Sequence, residues 1–181
     1  MTSLLRKNPG AAKVKDEFGD CPLHKGLFCN ASPEVIAAVL AAFPQAIKEK
    51  DGSGHFPLHL TMKGTLSAET IAAVLAAFPQ AAKEKDCHEN RPLHLALQGK
   101  LSAESTLAVL AAFPDAAKEK TRTGQSPLEL ALKNKLPTET VAAILAAFPE
   151  AAGEETSVPV AESAHYSWRK GLAILQRQSQ L

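Results

Sequence analysis

Ala76-Ala77-Phe78-Pro79 is the stretch that decides the fold, because it returns as Ala41 to Pro44, Ala111 to Pro114 and Ala146 to Pro149. The prolines stand 35 residues apart, and Pro9 opens the same series one period earlier. A fixed period between about 20 and 50 residues marks stacked supersecondary units, none of which can bury its apolar face alone. The chain of 181 residues is therefore read as one continuous array.

Four full units grow outward from that phrase: residues 16–50, 51–85, 86–120 and 121–155. A half-unit at 1–15 precedes them, with Leu4, Leu5, Pro9, Ala11, Ala12, Lys13 and Lys15 matching the end of a repeat, which predicts an N-terminal cap carrying only a second helix. Each unit begins with a polar turn such as Asp51-Gly52-Ser53-Gly54, followed by Pro57-Leu58-His59-Leu60. Proline is tolerated at the first helical position, where an N–H would have no partner, so a first helix of about two turns starts there. Gly64, Gly99 and Asn134 are expected to stop it in the left-handed conformation that glycine and asparagine tolerate. Ser67 then caps a second helix, with Glu69 in its first turn; the first unit has Ser32-Pro33-Glu34 instead. Ile71, Val74, Leu75 and Phe78 line one face of that helix, and Pro79 is expected to end it, since the residue before a proline avoids helical backbone.

Ala72, Ala73, Ala76 and Ala77 combine high helix propensity with little volume, which predicts close approach of neighbouring helices on more than one side. The expected fold class is all-α, with helix-turn-helix units stacked into a solenoid. Residues 156–181 leave the pattern. There Ala161, Ala164, His165, Trp168, Leu172 and Leu175 recur at helical spacing and predict one or two helices capping the last unit, the alternative being an amphipathic helix for a partner or a membrane surface.

Hydrophobic residues make up 45% of the chain and charged residues 22%, and the formal net charge is +1, so no global field attracts nucleic acid or anionic membrane. Apolar runs are broken before about 18 residues accumulate, which excludes a membrane-spanning helix, and Met1 to Lys7 lack the apolar core of a secretory signal. Cys21, Cys29 and Cys87 form no Cys-x-x-Cys pair, and their odd number suits a reducing compartment. The expectation is a monomeric cytoplasmic protein, with the nucleus open, that inserts into no membrane.

These units resemble the ankyrin repeat family over roughly residues 4 to 155. The family's opening, Asp-x-x-Gly-x-Thr-Pro-Leu-His-x-Ala, is matched by Asp16 to Gly19 with Cys21-Pro22-Leu23-His24, and by Asp51 to Gly54 with Phe56-Pro57-Leu58-His59. Asp86 with Arg91-Pro92-Leu93-His94-Leu95-Ala96 and Gly124 with Ser126-Pro127-Leu128-Glu129-Leu130-Ala131 continue it in phase. The departures are systematic. Cys21, Phe56, Arg91 and Ser126 replace the family's threonine, Phe-Pro stands where a glycine usually follows the second helix, and the period exceeds the usual 33 by two. Glu89 replaces the turn glycine of the third unit. The tetratricopeptide repeat, of similar period, lacks its tryptophan and tyrosine landmarks here.

The resemblance implies that His24, His59 and His94 hold their own turns by hydrogen bonds, with Glu129 substituting in the fourth unit. A shared metal ion is disfavoured, because stacked helices lie about 8–10 Å apart while ligands must reach one zinc at about 2 Å. Cys87, His88 and His55 can converge at neighbouring tips, but spacing alone orients no base and builds no oxyanion site, so no enzymatic, metal or cofactor role is assigned. Against columns that repeat, the tips vary freely. The resemblance places partner recognition on tips and first helices: Glu17, Phe18, Asp20 and Phe28; Ser53, His55 and Lys63; Cys87, His88, Asn90 and Gln98; Arg122, Thr123, Gln125 and Lys133.

Phe18 and Phe28 are the expected aromatic anchors for a protein or peptide. Lys15, Lys50, Lys85 and Lys120 form one column and Lys13, Lys48, Lys83 and Lys118 another, with Glu49, Glu84 and Glu119 between. In an extended segment both lysine columns face one way and the glutamates the other, which suggests a basic ridge for an acidic or phosphorylated partner, anionic lipid or, with less support, nucleic acid.

Overall fold

The computed structural model describes residues 8–64 and 66–152. Among them the chain forms eight α-helices and no strands: α1 Pro22–Phe28, α2 Pro33–Ala42, α3 Pro57–Lys63, α4 Ala68–Ala77, α5 Pro92–Gln98, α6 Ala103–Ala112, α7 Pro127–Lys133 and α8 Thr138–Ala147. A short 3₁₀ turn follows each second helix, at Pro44–Lys48, Pro79–Lys83, Pro114–Lys118 and Pro149–Ala152, and another at Pro9–Lys13 precedes α1. The expected half-unit thus supplies such a turn, and its residues 1–7, like the expected C-terminal cap at 156–181, lie outside the described residues. None of the described helices is long and apolar enough to cross a membrane.

Consecutive helices pack against one another in two layers. The first helices α1, α3, α5 and α7 contact in sequence, as do α2, α4, α6 and α8, and each pair within a unit closes the gap between layers. One core runs through both, with Leu23, Leu27, Leu58, Met62, Leu93 and Leu97 from the first helices meeting Ile36, Val39, Ile71, Val74, Val109 and Ile144 from the second. Each such side chain removed from water contributes about 1.5–3 kcal/mol, so the repeating positions carry the stack.

The second helices start as expected in the middle units. Ser67 Oγ accepts the Thr70 N–H at 3.3 Å and Ser102 Oγ the Ser105 N–H at 3.2 Å. They end one residue earlier than expected, at Ala77 and its counterparts. Phe78 is the half-buried cap in extended backbone (φ −150°, ψ 77°), which is what its following proline demands. Pro79 then begins the 3₁₀ turn instead of returning the chain directly.

Three further expectations change. Gly64, Gly99 and Asn134 are not left-handed (φ −94°, −74° and −85°). In units one, three and four the left-handed residue is the one after Cys29, Gly99 and Asn134, at Asn30 (φ 51°), Lys100 (55°) and Lys135 (54°), while residue 65 lies outside the described residues. It closes a Schellman turn, in which the Ala31, Leu101 and Leu136 N–H groups donate back to the Gly26, Ala96 and Ala131 carbonyls at 2.8, 3.0 and 3.0 Å. Gly99 is needed for space: a Cβ there would lie 3.0 Å from the Met62 carbonyl oxygen of the preceding unit. Asn134 uses its place to donate from Nδ2 to the Leu97 carbonyl at 3.1 Å.

The alanines separate by unit: Ala72, Ala73, Ala76 and Ala77 of α4 are exposed, whereas Ala42, Ala112 and Ala147 are half-buried against the core. In α4, therefore, small size serves helix propensity and not contact on several sides. Finally, Glu89 keeps the third tip in the same turn as the others, at the cost of a left-handed backbone (φ 65°) where Gly19, Gly54 and Gly124 sit at 82°, 84° and 80°.

Candidate functional site

The three histidines occupy both ring nitrogens inside their own units. Nδ1 of His24, His59 and His94 accepts the N–H of Cys21, Phe56 and Arg91, each at 3.1 Å. That leaves Nε2–H to donate to the carbonyls of Glu49, Glu84 and Glu119 at 3.0, 3.1 and 2.8 Å, so each ring is neutral and bonds the start of its first helix to the end of the unit. Burial pushes His59 down to about 4 and lowers His94 as well. His24 responds the other way: burial, the largest single influence, works against its charge too, but Cys21, the Glu49 carbonyl and Asp51 together outweigh it and raise it. In the fourth unit a capping box stands instead, with the Ser126 N–H donating to Glu129 Oε2 at 2.8 Å and the Glu129 N–H to Ser126 Oγ at 3.2 Å.

Two of the residues standing at the threonine position cover the phenylalanine that precedes the 3₁₀ turn. The Phe56 and Phe78 rings are 6.0 Å apart, and the Arg91 guanidinium lies 5.3 Å from the Phe113 centroid. The two departures from the ankyrin-like pattern therefore pack on each other.

Each tip is built on one side-chain acceptor. Asp16 Oδ1 accepts the Phe18 and Asp20 N–H groups, Asp51 Oδ1 those of Ser53 and His55, and Asp86 Oδ1 those of His88 and Asn90, all between 2.7 and 3.0 Å. Thr121 Oγ1 takes the Gln125 N–H at 3.1 Å in the fourth. These closed turns free the intervening side chains for other work. Tips one and two touch: the Gly52 N–H donates to Asp20 Oδ1 at 3.2 Å, and a Cβ on Gly52 would lie 1.6 Å from the Phe18 carbonyl oxygen. Only glycine permits that approach.

Below the contact lies a cleft of about 420 Å³ between units one and two, lined by Asp20, Phe28, Asn30, Asp51, Ser53, His55, Leu60, Lys63 and Gly64. Five of the residues expected to bind a partner meet there: Asp20, Phe28, Ser53, His55 and Lys63. Phe28 is 77% exposed at its edge and Phe18 68% exposed on the tip beside it. His55 differs from expectation, since it is buried and not displayed at the tip. Glu17, Cys87, His88, Arg122 and Thr123 are exposed on their tips, as are Gln98 and Lys133 at the ends of α5 and α7; Asn90 and Gln125 are half-buried. None of these lines the cleft. Asn30, Asp51, Leu60 and Gly64 are the cleft residues that the sequence did not single out. Asp51 sits in a column that repeats, and Asn30 is recognisable only once the Schellman turn is known.

His55 is the centre of a polar group under tip two. Its Nδ1–H donates to Asp51 Oδ2 at 3.1 Å, and its Nε2 accepts from Lys63 Nζ at 2.8 Å. Cys87 Sγ, from tip three, lies 3.7 Å from the same Nε2. Asp86 Oδ2 lies 4.0 Å from both Nε2 and Nζ, buried and without a hydrogen bond. Two of the three residues expected to converge therefore do, and Asp51 orients the imidazole, which the spacing did not reveal. His88 is exposed on its tip, where its N–H closes the turn on Asp86 Oδ1.

The lysine columns are largely engaged. Lys13, Lys48 and Lys83 lie 5.7, 6.0 and 5.7 Å from the ring centroids of Phe43, Phe78 and Phe113, one unit further on, and Lys118 pairs with Asp115 at 3.0 Å. In the other column Lys15 pairs with Glu49 at 2.6 Å, Lys50 covers Phe56 at 4.8 Å and Lys85 pairs with Glu89 at 3.2 Å. Glu49 thus reaches towards a lysine column instead of facing away from it, and Glu119 pairs with Arg91 at 3.1 Å.

No protein-family model matches the chain, and no curated protein matches it.

Proposed function

We propose that the chain is an ankyrin-like α-solenoid that acts without catalysis, as a scaffold gripping a protein or peptide segment across the cleft between its first two units. The observation that carries this reading is the pairing of an exposed aromatic with a formed recess. Phe28 stands open at the rim, while Asp20 brings a carboxylate and Lys63 an ammonium to the same 420 Å³. Burying Phe28 under a partner contributes up to about 3 kcal/mol, and directional polar groups at the recess fix the register of what is bound. The alternative of an acidic partner on the lysine ridge is less well supported, because Lys15, Lys85 and Lys118 already have carboxylate partners and the remaining charge is interleaved with glutamates.

The reading is tested with peptides selected from a random displayed library on the intact protein. Peptides that occupy the cleft are expected to lose affinity about tenfold or more on combined Phe18→Ala and Phe28→Ala substitution. Both side chains project into solvent, so the unfolding midpoint should shift by under about 0.5 kcal/mol equivalent. Selected peptides that bind the double variant as well as the parent, or a loss of binding matched by loss of folding, would overturn the reading.

A further inference from the structure

We propose that Cys87 is a nucleophilic thiol, activated by His55 and Asp51 of the neighbouring tip, and that it forms mixed disulfides with low-molecular-weight disulfides of the glutathione class. Three features place this thiol apart from the other two. Cys21 is buried, and Cys29, though exposed, caps the end of α1. Cys87 is exposed and has an imidazole nitrogen 3.7 Å from its sulfur, while the far nitrogen of that ring is held by Asp51 Oδ2 at 3.1 Å. A nucleophile, a base within hydrogen-bonding reach and a carboxylate that fixes the base's tautomer is the arrangement that activates a side chain at neutral pH.

The second and independent observation is Asp86 Oδ2. This oxygen is buried, accepts no hydrogen bond, and sits 4.0 Å from both His55 Nε2 and Lys63 Nζ. In the resting arrangement Lys63 Nζ donates to Nε2 at 2.8 Å, which keeps that nitrogen unprotonated and its ring proton on Nδ1. When Nε2 takes a proton, the ammonium must leave it, and Asp86 Oδ2 is the unsatisfied acceptor placed to receive either cation. The buried oxygen is thereby explained as the acceptor for the charged state of the group.

The step balances without any further reagent. The thiol proton of Cys87 passes to His55 Nε2 as the sulfur attacks one sulfur of the small disulfide. The S–S bond of the reagent breaks, a new S–S bond forms on Cys87, and the departing thiolate takes the proton back from His55. The Cys87 sulfur is oxidised and the released sulfur reduced. The group is proposed as a modification site. The adduct adds bulk and charge against His55 and Lys63, which also wall the cleft, but the inference does not depend on peptide binding there.

The intact protein supplies its own control. Incubated with oxidised glutathione at pH 7 and resolved by peptide mass spectrometry, Cys87 is expected to acquire the adduct about tenfold faster than exposed Cys29, a modest share of what a placed base can give. His55→Gln should abolish that advantage while leaving Cys29 unchanged and Cys21 protected, the latter reporting that the fold persists. Equal rates at Cys87 and Cys29 in the parent protein would overturn the proposal, as would an advantage that survives in a folded His55→Gln variant. If His55→Gln exposes Cys21, the decision rests on the parent ratio and on Lys63→Met, which removes the competing donor from Nε2 and should increase the Cys87 rate; a ratio near one in both would end the proposal. Iodoacetamide in parallel separates nucleophilicity from access, since a uniform advantage with both reagents is expected and an advantage with glutathione alone would assign selectivity to the disulfide's binding instead.

Discussion

Units two and four meet the same demand at the start of their first helices in different ways. His59 accepts the Phe56 N–H and donates to the Glu84 carbonyl, so one side chain caps a helix and ties it to a segment 25 residues away. Glu129 accepts the Ser126 N–H through Oε2 and donates its own N–H to Ser126 Oγ, which caps the start of its helix locally. An ionised carboxylate cannot donate to a carbonyl as the imidazole N–H does, so the two caps differ in chemistry. The histidine units carry a bond from the start of the first helix to the end of the unit, and in the fourth unit α7 packs against α8 and α5.

The largest test of that contrast is His59→Leu. It keeps the apolar bulk but orphans a buried N–H and a buried carbonyl, each costing about 1–3 kcal/mol, so a loss of about 3 kcal/mol in urea unfolding is expected. A loss under about 1 kcal/mol would mean that the tie to Glu84 adds nothing to the cap. The same ring gives a comparable effect through pH. Its native value is pushed by burial from 6.5 to about 4, so the unfolded chain binds the proton first as pH falls. The stability contributed by neutral His59 is complete above pH 6.5 and is lost progressively towards pH 4, about 3 kcal/mol over that window. His94 is shifted in the same direction and His24 in the opposite one, so the quantity to measure is the pH slope of the parent minus that of His59→Leu. A difference that grows on the alkaline side of 6.5 would reverse the assignment of charge.

The features that made the stack legible in the sequence are those that stacking repeats. Pro57-Leu58-His59 and Ala76-Ala77-Phe78-Pro79 recur because every unit meets the same neighbours, and their periodicity announces helices, core and boundaries. What stayed hidden has two physical causes. Glycine at a helix end can serve left-handed backbone or the absence of a Cβ, and sequence does not tell these apart; Gly99 turned out to serve the second, since a Cβ there would lie 3.0 Å from the Met62 carbonyl oxygen. Likewise Asp51 stood in a column that looked structural, yet its second oxygen orients His55 while its first closes the turn. Phe18 and Phe28 were readable as exposed because nothing in the repeating pattern buries those positions. The cleft beside Phe28 was not, since it depends on Gly52 letting two tips meet.

Glu129→Ala probes the other half of the comparison. Removing the fourth unit's cap should cost about 1 kcal/mol, the usual worth of a capping side chain, and about a third of the effect at His59. Equal losses at the two sites would show that reciprocal capping by Ser126 and Glu129 is as strong as the cross-layer tie.

The smallest net effect is expected at tip three, the one turn that departs from its three counterparts. Glu89 holds a left-handed backbone at φ 65° where the other tips have glycine, a conformation that costs an ordinary L-residue about 1–2 kcal/mol. Glu89→Gly removes that strain but gives the unfolded chain more freedom, and the two offset in part. The Lys85–Glu89 pair it deletes spans 3.2 Å between side chains that are 38% and 61% exposed, so screening leaves it little weight. The balance is a gain of about 0.5 kcal/mol, read as a higher urea midpoint at unchanged slope. A fall in the midpoint would mean that the Lys85 contact holds the third tip, and that the glutamate stands there for the turn's sake.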